Sequence, residues 1–437
     1  MILKEYKSST SNLITHCSKN HQFEFFQPEK ARLPDGQISR TRLLKWENLF
    51  LDTILSGFKF MILLLCIAIL VLSCAEKKKE IPFSEVINKS AVEYASGFSI
   101  EHNSEYTVVK VLEPWPGASK AYTYAFIPQE KLASITYPKD AYDAVIAIPI
   151  KDFVITSTTH IPAVEALGGL NKVVGFPNTK YISSMPARKL IAERKIKELG
   201  TNESLNTEMV LELAPDLIVG FGINNQNSTY EVIQKANIPV VFNGDWNEKT
   251  PLGKAEWIKF FGVLLNKEKE ADSIFSNIVS EYERVRTLSV KATHRPTVLS
   301  GALYKDVWYL PAGESWAAQF LADANVNYLW QESKGTGSLS LSLESVLEIG
   351  QNADFWVSPS QFTSYMEMEE SNSHYRQFKG FRDKKIFTFS ATKGPTGGLL
   401  FYELAPQRPD LVLKDMVHIF HPDLLPNHSP YFFTPLQ

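Results

Sequence analysis

Leu205-Asn206-Thr207-Glu208-Met209-Val210-Leu211-Glu212-Leu213 runs into Asp216-Leu217-Ile218-Val219, and the same pattern returns as Leu341-Ser342-Leu343-Glu344-Ser345-Val346-Leu347-Glu348-Ile349 before Asp354-Phe355-Trp356-Val357. Each copy opens on a residue that caps helices, Asn206 or Ser342, and ends in a short apolar strand behind an aspartate. Each also follows a segment of one type, Val164-Glu165-Ala166-Leu167-Gly168-Gly169 in the first half and Phe320-Leu321-Ala322-Asp323-Ala324-Asn325 in the second. An internal repeat of helix and strand predicts two similarly built lobes. Strands and helices alternate from Phe153-Val154-Ile155-Thr156 and a helix near 161–167 onward, which predicts parallel sheets in an α/β fold.

Between the copies, residues 267–291 contain no Gly or Pro and place Ala271, Ile274, Phe275, Ile278, Val279, Tyr282 and Val285 on one helical face. A helix of about 24 residues is roughly 36 Å long, enough to join two lobes as a stiff spine. Ahead of the alternating region, residues 93–150 read as short strands, with Trp115-Pro116-Gly117 as a turn. The expected order is a leader over 1–73, a tether over 74–92, a β-rich extension over 93–150, an N-terminal lobe over 151–265, an interlobe helix over 266–291 and a C-terminal lobe over 292–437.

The 437 residues hold 45 basic and 48 acidic side chains and are 44% apolar, which excludes a disordered tail and a polybasic nucleic-acid binder. All three cysteines, Cys17, Cys66 and Cys74, precede the folded region, so neither a disulfide framework nor a zinc-cysteine site is expected. Residues 60–72, FMILLLCIAILVL, are an unbroken apolar run of 13. That is shorter than the ~20 a spanning helix needs and fits the core of an export signal. Val71-Leu72-Ser73-Cys74, followed by lysine-rich polar residues, resembles the bacterial lipobox and makes Cys74 the expected site of lipidation. The long stretch before the run, with Lys59 as the nearest cation, suggests that translation starts downstream of Met1. Residues 1–73 carry nine basic and six acidic groups, leaving 36 against 42 and a formal charge of −6 afterwards. An acidic, lipid-tethered chain is poorly suited to nucleic acid.

Over 153–422 the sequence resembles the periplasmic binding proteins for vitamin B12 and ferric siderophores, which deliver ligands to ABC importers. The resemblance rests on Ile155-Thr156-Ser157-Thr158-Thr159 before Glu165-Ala166-Leu167-Gly168 and Val173-Val174-Gly175, on Asn206-Thr207-Glu208 before Ala214-Pro215-Asp216, on the spine helix, on Glu344-Ser345-Val346-Leu347, and on the end at Pro409-Asp410-Leu411 and His421-Pro422. The β-rich extension has no place in the minimal family pattern. The resemblance implies a monomer of two α/β lobes with parallel central sheets joined by one long helix, a lipid anchor in the membrane of an exported protein, and a permease partner with its cytoplasmic ATPase. It implies no chemistry and no resident cofactor or metal, the ligand being an iron chelate or a corrinoid.

Position by position, the resemblance makes Glu208 and Glu344 the docking points for permease arginines. A carboxylate in a first helical turn would also do no more than complement the helix dipole. The ligand is expected between the strand-end loops of the two lobes, against Thr158, Thr159, Phe221, Asn224, Trp246, Tyr304, Trp308, Ser358, Phe362 and Lys393, although each aromatic could equally be ordinary core. His160 reads as a solvent-facing or capping histidine rather than a metal ligand, since no second His or Cys lies near it. The tyrosine that haem-binding relatives carry before the first glutamate motif is replaced by Gly200-Thr201-Asn202-Glu203-Ser204, and Lys305 and Lys393 are the loops' only cations. Both features favour a neutral macrocycle such as cobalamin over haem or an anionic siderophore.

No phosphate-loop, H-E-x-x-H or G-x-S-x-G motif occurs; Gly313-Glu314-Ser315-Trp316-Ala317 fails at its last position. Gly394-Pro395-Thr396-Gly397-Gly398 lacks a phosphate loop's lysine and reads as a flexible binding loop or turn. The expected function is therefore a lipid-anchored binding component of an ABC importer. A haem- or metal-binding lipoprotein and a surface scaffold without small-molecule ligand stay open as alternatives.

Overall fold

The computed structural model describes residues 92–222 and 228–437. The apolar run at 60–72, Cys74, the tether and Asn224 lie outside them. No helix among the described residues is long and apolar enough to cross a membrane.

The extension forms a sheet of β1 (Phe98–His102), β2 (Thr107–Val111), β3 (Tyr122–Pro128) and β4 (Ala144–Ile148), antiparallel except that β4 runs parallel to β3. The chain then enters the first lobe through β5 (Phe153–Ile155), α1 (His160–Ala166), β6 (Val173–Phe176), β7 (Lys197–Glu198), α2 (Thr207–Leu213), β8 (Leu217–Gly220) and β9 (Val240–Phe242). These strands make a parallel sheet in the order β9-β8-β5-β6-β7. Helices α3 (Pro251–Glu256) and α4 (Ile258–Leu265) lead to the spine α5 (Glu268–Ser289).

The second lobe holds β10 (Thr297–Ser300), β11 (Ala302–Tyr304), β12 (Val307–Pro311), α6 (Trp316–Asp323), β13 (Asn327–Tyr328), β14 (Ser338–Leu341), α7 (Leu343–Gly350), β15 (Phe355–Val357), β16 (Ile386–Thr388), α8 (Leu400–Leu404), α9 (Pro409–Phe420) and β17 (Thr434–Pro435). Its main sheet is ordered β13-β10-β15-β16-β17, parallel but for the last strand, and β11, β12 and β14 form a separate antiparallel sheet.

The sequence repeat is a repeat of topology. Read from the strand after β8, the first sheet runs β9-β8-β5-β6, and from the strand after β15 the second runs β16-β15-β10-β13. The caps agree: Asn206 accepts from the Met209 amide at 3.0 Å and Ser342 from the Ser345 amide at 3.2 Å. So do the aspartates that follow each helix. Asp216 accepts the Lys151 amide at 2.6 Å and Asp354 the Thr297 amide at 2.9 Å, each tying its strand to the start of the central one. Continuous apolar strands such as Leu217-Ile218-Val219 are covered on both faces, which parallel sheets require.

The spine spans 22 residues, about 33 Å. It buries Ala271, Phe275, Ile278, Tyr282 and Val285, while Ile274 and Val279 are partly covered. The extension is not a loose appendage. Glu256 collects the amides of Glu93, Tyr94 and Ala95, Glu248 those of Ser96 and Gly97, and Phe98 packs on Trp257 at 4.3 Å. One continuous core includes β1 to β4, both lobes and the spine.

Candidate functional site

Parallel strands deliver their C-terminal ends, and the loops that follow, to one side of each sheet. In the first lobe these loops are 156–160, 221–222 and 243–246. Thr156 organises them: its hydroxyl accepts from the Phe221 amide at 2.8 Å and meets the Tyr230 hydroxyl at 3.2 Å. Phe221 and Trp246 come together at 5.6 Å, and the indole Nε1 donates to the Gly222 carbonyl at 3.2 Å. Below them the Lys254 ammonium donates to the carbonyls of Asp245 and Trp246 at 3.0 and 2.7 Å. Burial draws its pKa down to about 8, opposed by Asp245 and Glu248, so it remains largely charged at neutral pH.

The same ammonium lies 5.2 Å from the ring of Trp316 on α6 of the second lobe. Trp316 lines a cavity of about 300 Å³ at the ends of β10 and β15, with Tyr304, Tyr309, Ser358, Phe389 and Tyr402. Ser358 and Ser360 hold φ values of 53° and 54°, uncommon for serine, where the chain turns at the end of β15. The wall is aromatic, with half-exposed tyrosines at positions 304, 309 and 402.

Of the expected contacts, Trp308 and Phe362 fall elsewhere. Trp308 is fully buried, stacks on Trp356 at 5.3 Å and donates to the Ser300 carbonyl at 3.0 Å. Alternation along β12 turns Trp308 into the core and its neighbour Tyr309 outward. Phe362 is half-buried edge-on against Tyr375 at 5.9 Å and belongs to the core's margin. Thr158 and Thr159 are half-buried in the turn into α1, where the Thr159 hydroxyl meets Ser157 at 2.9 Å. His160 is neither solvent-facing nor a capping group. It is fully buried against Phe261, its ring nitrogens have no hydrogen-bond partner among the described residues, and burial lowers its pKa to about 4. A helix starting directly beneath the sheet end leaves it no route to water.

Trp316 and Tyr402 were not legible as wall residues. Trp316 sits in the motif that fails as a nucleophile elbow, and its cap Ser315 was the only local signal.

Lys393 lines a larger cavity of about 900 Å³, between α1, the spine and α8. At its edge the lobes are stitched together. Glu403 of α8 accepts the amides of Ser183 and Ser184 at 2.5 and 2.8 Å, Ser183 donates to the Gly398 carbonyl, and Thr396 donates to that of Lys180. The loop 394–398 is thus a lobe contact. Burial raises the Glu403 pKa to about 7; Glu165 adds to the shift, while the two amides and Arg188 oppose it. The folded value lies above the unfolded 4.5, so this group stabilises fully below about pH 4.5, and the contribution is lost as pH rises through about 7. Denaturant unfolding at pH 5 and pH 8 should show Glu403→Gln, which cannot ionise, losing about 2–4 kcal/mol less than the wild type over that interval; parallel losses would refute it.

Glu208 and Glu344 are both exposed in the first turns of α2 and α7, the equivalent helices of the repeat. The Glu344 carboxyl is held below its usual range by its own backbone amide and the Ser342 hydroxyl.

Known proteins resemble the chain across this architecture. An uncharacterized lipoprotein of Methanocaldococcus jannaschii is 26% identical over 300 residues, 66% of this chain and 69% of that protein. A periplasmic solute binding protein from Veillonella parvula superposes with a TM-score of 0.50 at 17% identity, covering 64% of this chain and 83% of that one, which bears on the fold alone. A periplasmic heme binding protein from Pseudomonas aeruginosa gives 0.49 at 18% identity, covering 66% and 98%. The periplasmic binding protein family model matches residues 154–388, more than half of the chain. The chain belongs to the periplasmic binding proteins of the iron-complex and vitamin B12 type, which bind solutes and carry out no chemistry on them.

Proposed function

We propose that this protein is the lipid-anchored solute-binding component of an ABC importer and takes a corrinoid or a ferric siderophore between its lobes. The observation that carries the reading is the aromatic wall on each side: Phe221 and Trp246 on the first lobe, Tyr304, Trp316 and Tyr402 on the second, with Lys254 against Trp316. Aromatic area with few fixed charges suits a large, flat, nearly neutral ligand, held by contact area and a few hydrogen bonds. Such a wall offers little to a strongly anionic chelate. Lipid attachment at Cys74 is supported by the relatives that are themselves named lipoproteins.

Thermal unfolding of the purified protein with cobalamin, cobinamide, ferric siderophores, haem, Mn²⁺ and Zn²⁺ tests the reading. A ligand at ~100 times its dissociation constant adds about 2.7 kcal/mol. Cobalamin or a ferric siderophore should give that shift. Stabilisation by haem or a bare cation alone would move the chain to a different ligand class, and none across the panel would favour a scaffold role.

A further inference from the structure

The β-rich extension reaches the proposed ligand cleft. Its β2–β3 hairpin ends in the tip 112–121, and Trp115 there is 6% exposed although Pro116 and Gly117 beside it are open to solvent. The Trp115 indole packs edge-on against Phe242 at 5.2 Å, and Tyr122 meets the same ring at 4.9 Å. Phe242 is the last residue of β9, directly before the loop that carries Trp246. The Phe242 amide donates to the Tyr124 hydroxyl at 3.0 Å, and the Asn247 amide side chain to Glu113 at 3.2 Å. The end of β9 and the loop after it are therefore held from outside by the hairpin.

Two glycines mark the same contact. A Cβ on Gly222 would lie 2.9 Å from the Trp115 ring, and one on Gly244 would lie 2.5 Å from the Glu113 carbonyl oxygen. Neither has a positive φ, so close approach rather than backbone conformation is what these positions require. Gly222 follows Phe221 directly and its carbonyl accepts from Trp246, so the hairpin presses on the backbone that joins the two platform aromatics.

We propose that the hairpin tip is a positioning element of the ligand cleft, with Trp115 as its key residue, setting the place of Phe221 and Trp246. This rests on the cleft reading above. It gives the extension a part in specificity: displacing the tip changes the spacing of the first-lobe aromatics without touching the second-lobe cavity. Trp115 is a positioning residue and needs no ligand contact.

Hydrogen exchange on the full chain tests it without a ligand. In Trp115→Ala, peptides spanning 240–248, whose Asn243 and Asn247 amides bond to Gly220 and Gly244, should exchange at least about tenfold faster while those of β5 and β10 hold their protection. Trp115→Phe should restore protection. Gly222→Ala, which fills the space of the indole, should reproduce the effect, and it decides the matter if Trp115→Ala does not fold. Unchanged exchange in a folded Trp115→Ala and in Gly222→Ala would overturn the proposal. Whichever of cobalamin or a ferric siderophore stabilises the wild type should bind Trp115→Ala at least about tenfold more weakly and Trp115→Phe nearly normally; equal affinity of all three would also overturn it. If the wild type takes neither, the ligand reading falls and the exchange result still stands on its own.

Discussion

Reversing the two carboxylates that we propose dock the permease, Glu208→Lys with Glu344→Lys, is expected to abolish ligand uptake by cells while leaving ligand affinity in solution unchanged. The two side chains occupy the same place in the two copies of the repeat, on exposed first turns, and neither lines the aromatic cavity of the second lobe. Each would meet an arginine on the proposed permease partner, and loss of such a charge pair in an interface weakens association. Reversal adds repulsion, so affinity for the permease should fall by a factor of at least about 10³ for the double variant and less for each single one. Pull-down against the transporter in detergent, beside ligand titration, checks this. Full uptake by the double variant would remove docking from both residues and leave them as helix-capping charges.

Glu256→Ala should be among the most damaging single changes to stability, at about 3–5 kcal/mol in denaturant unfolding. The carboxylate is fully buried, accepts three successive amides from Glu93, Tyr94 and Ala95, and holds the Lys259 ammonium at 3.0 Å. Truncation strands those amides and removes the 3.0 Å ion pair of Lys259, whose contact with Asp272 is longer, at 3.6 Å. A loss under about 1 kcal/mol would mean that the segment leading into β1 contributes nothing to the fold.

Much of this architecture was written where periodicity is strong. The repeat predicted two lobes because cap, amphipathic turn, aspartate and apolar strand recur in order, and Asn206 and Ser342, Asp216 and Asp354 perform matching tasks in the structure. The spine was legible for the same reason: 22 residues without a breaker bury one face. The site was less so, because whether an aromatic faces ligand or core depends on which side of a strand it falls. Trp308 and Tyr309 are adjacent and point opposite ways. Trp316 could be placed only once α6 was seen beneath the cavity. His160 was misread because its burial comes from α4, about a hundred residues away, through Phe261. The extension's attachment to the cleft was invisible for the same reason, since Trp115 reads as a turn residue until Gly222 and Phe242 are brought against it.

Calorimetric titration of cobalamin and of a ferric siderophore into the wild type and into Trp316→Ala bears most directly on solute capture between the aromatic walls. One ligand should bind one to one, and the substitution should weaken it by about 10- to 100-fold, as loss of a buried aromatic anchor does. Absence of binding by the wild type, or equal affinity in the variant, would contradict it.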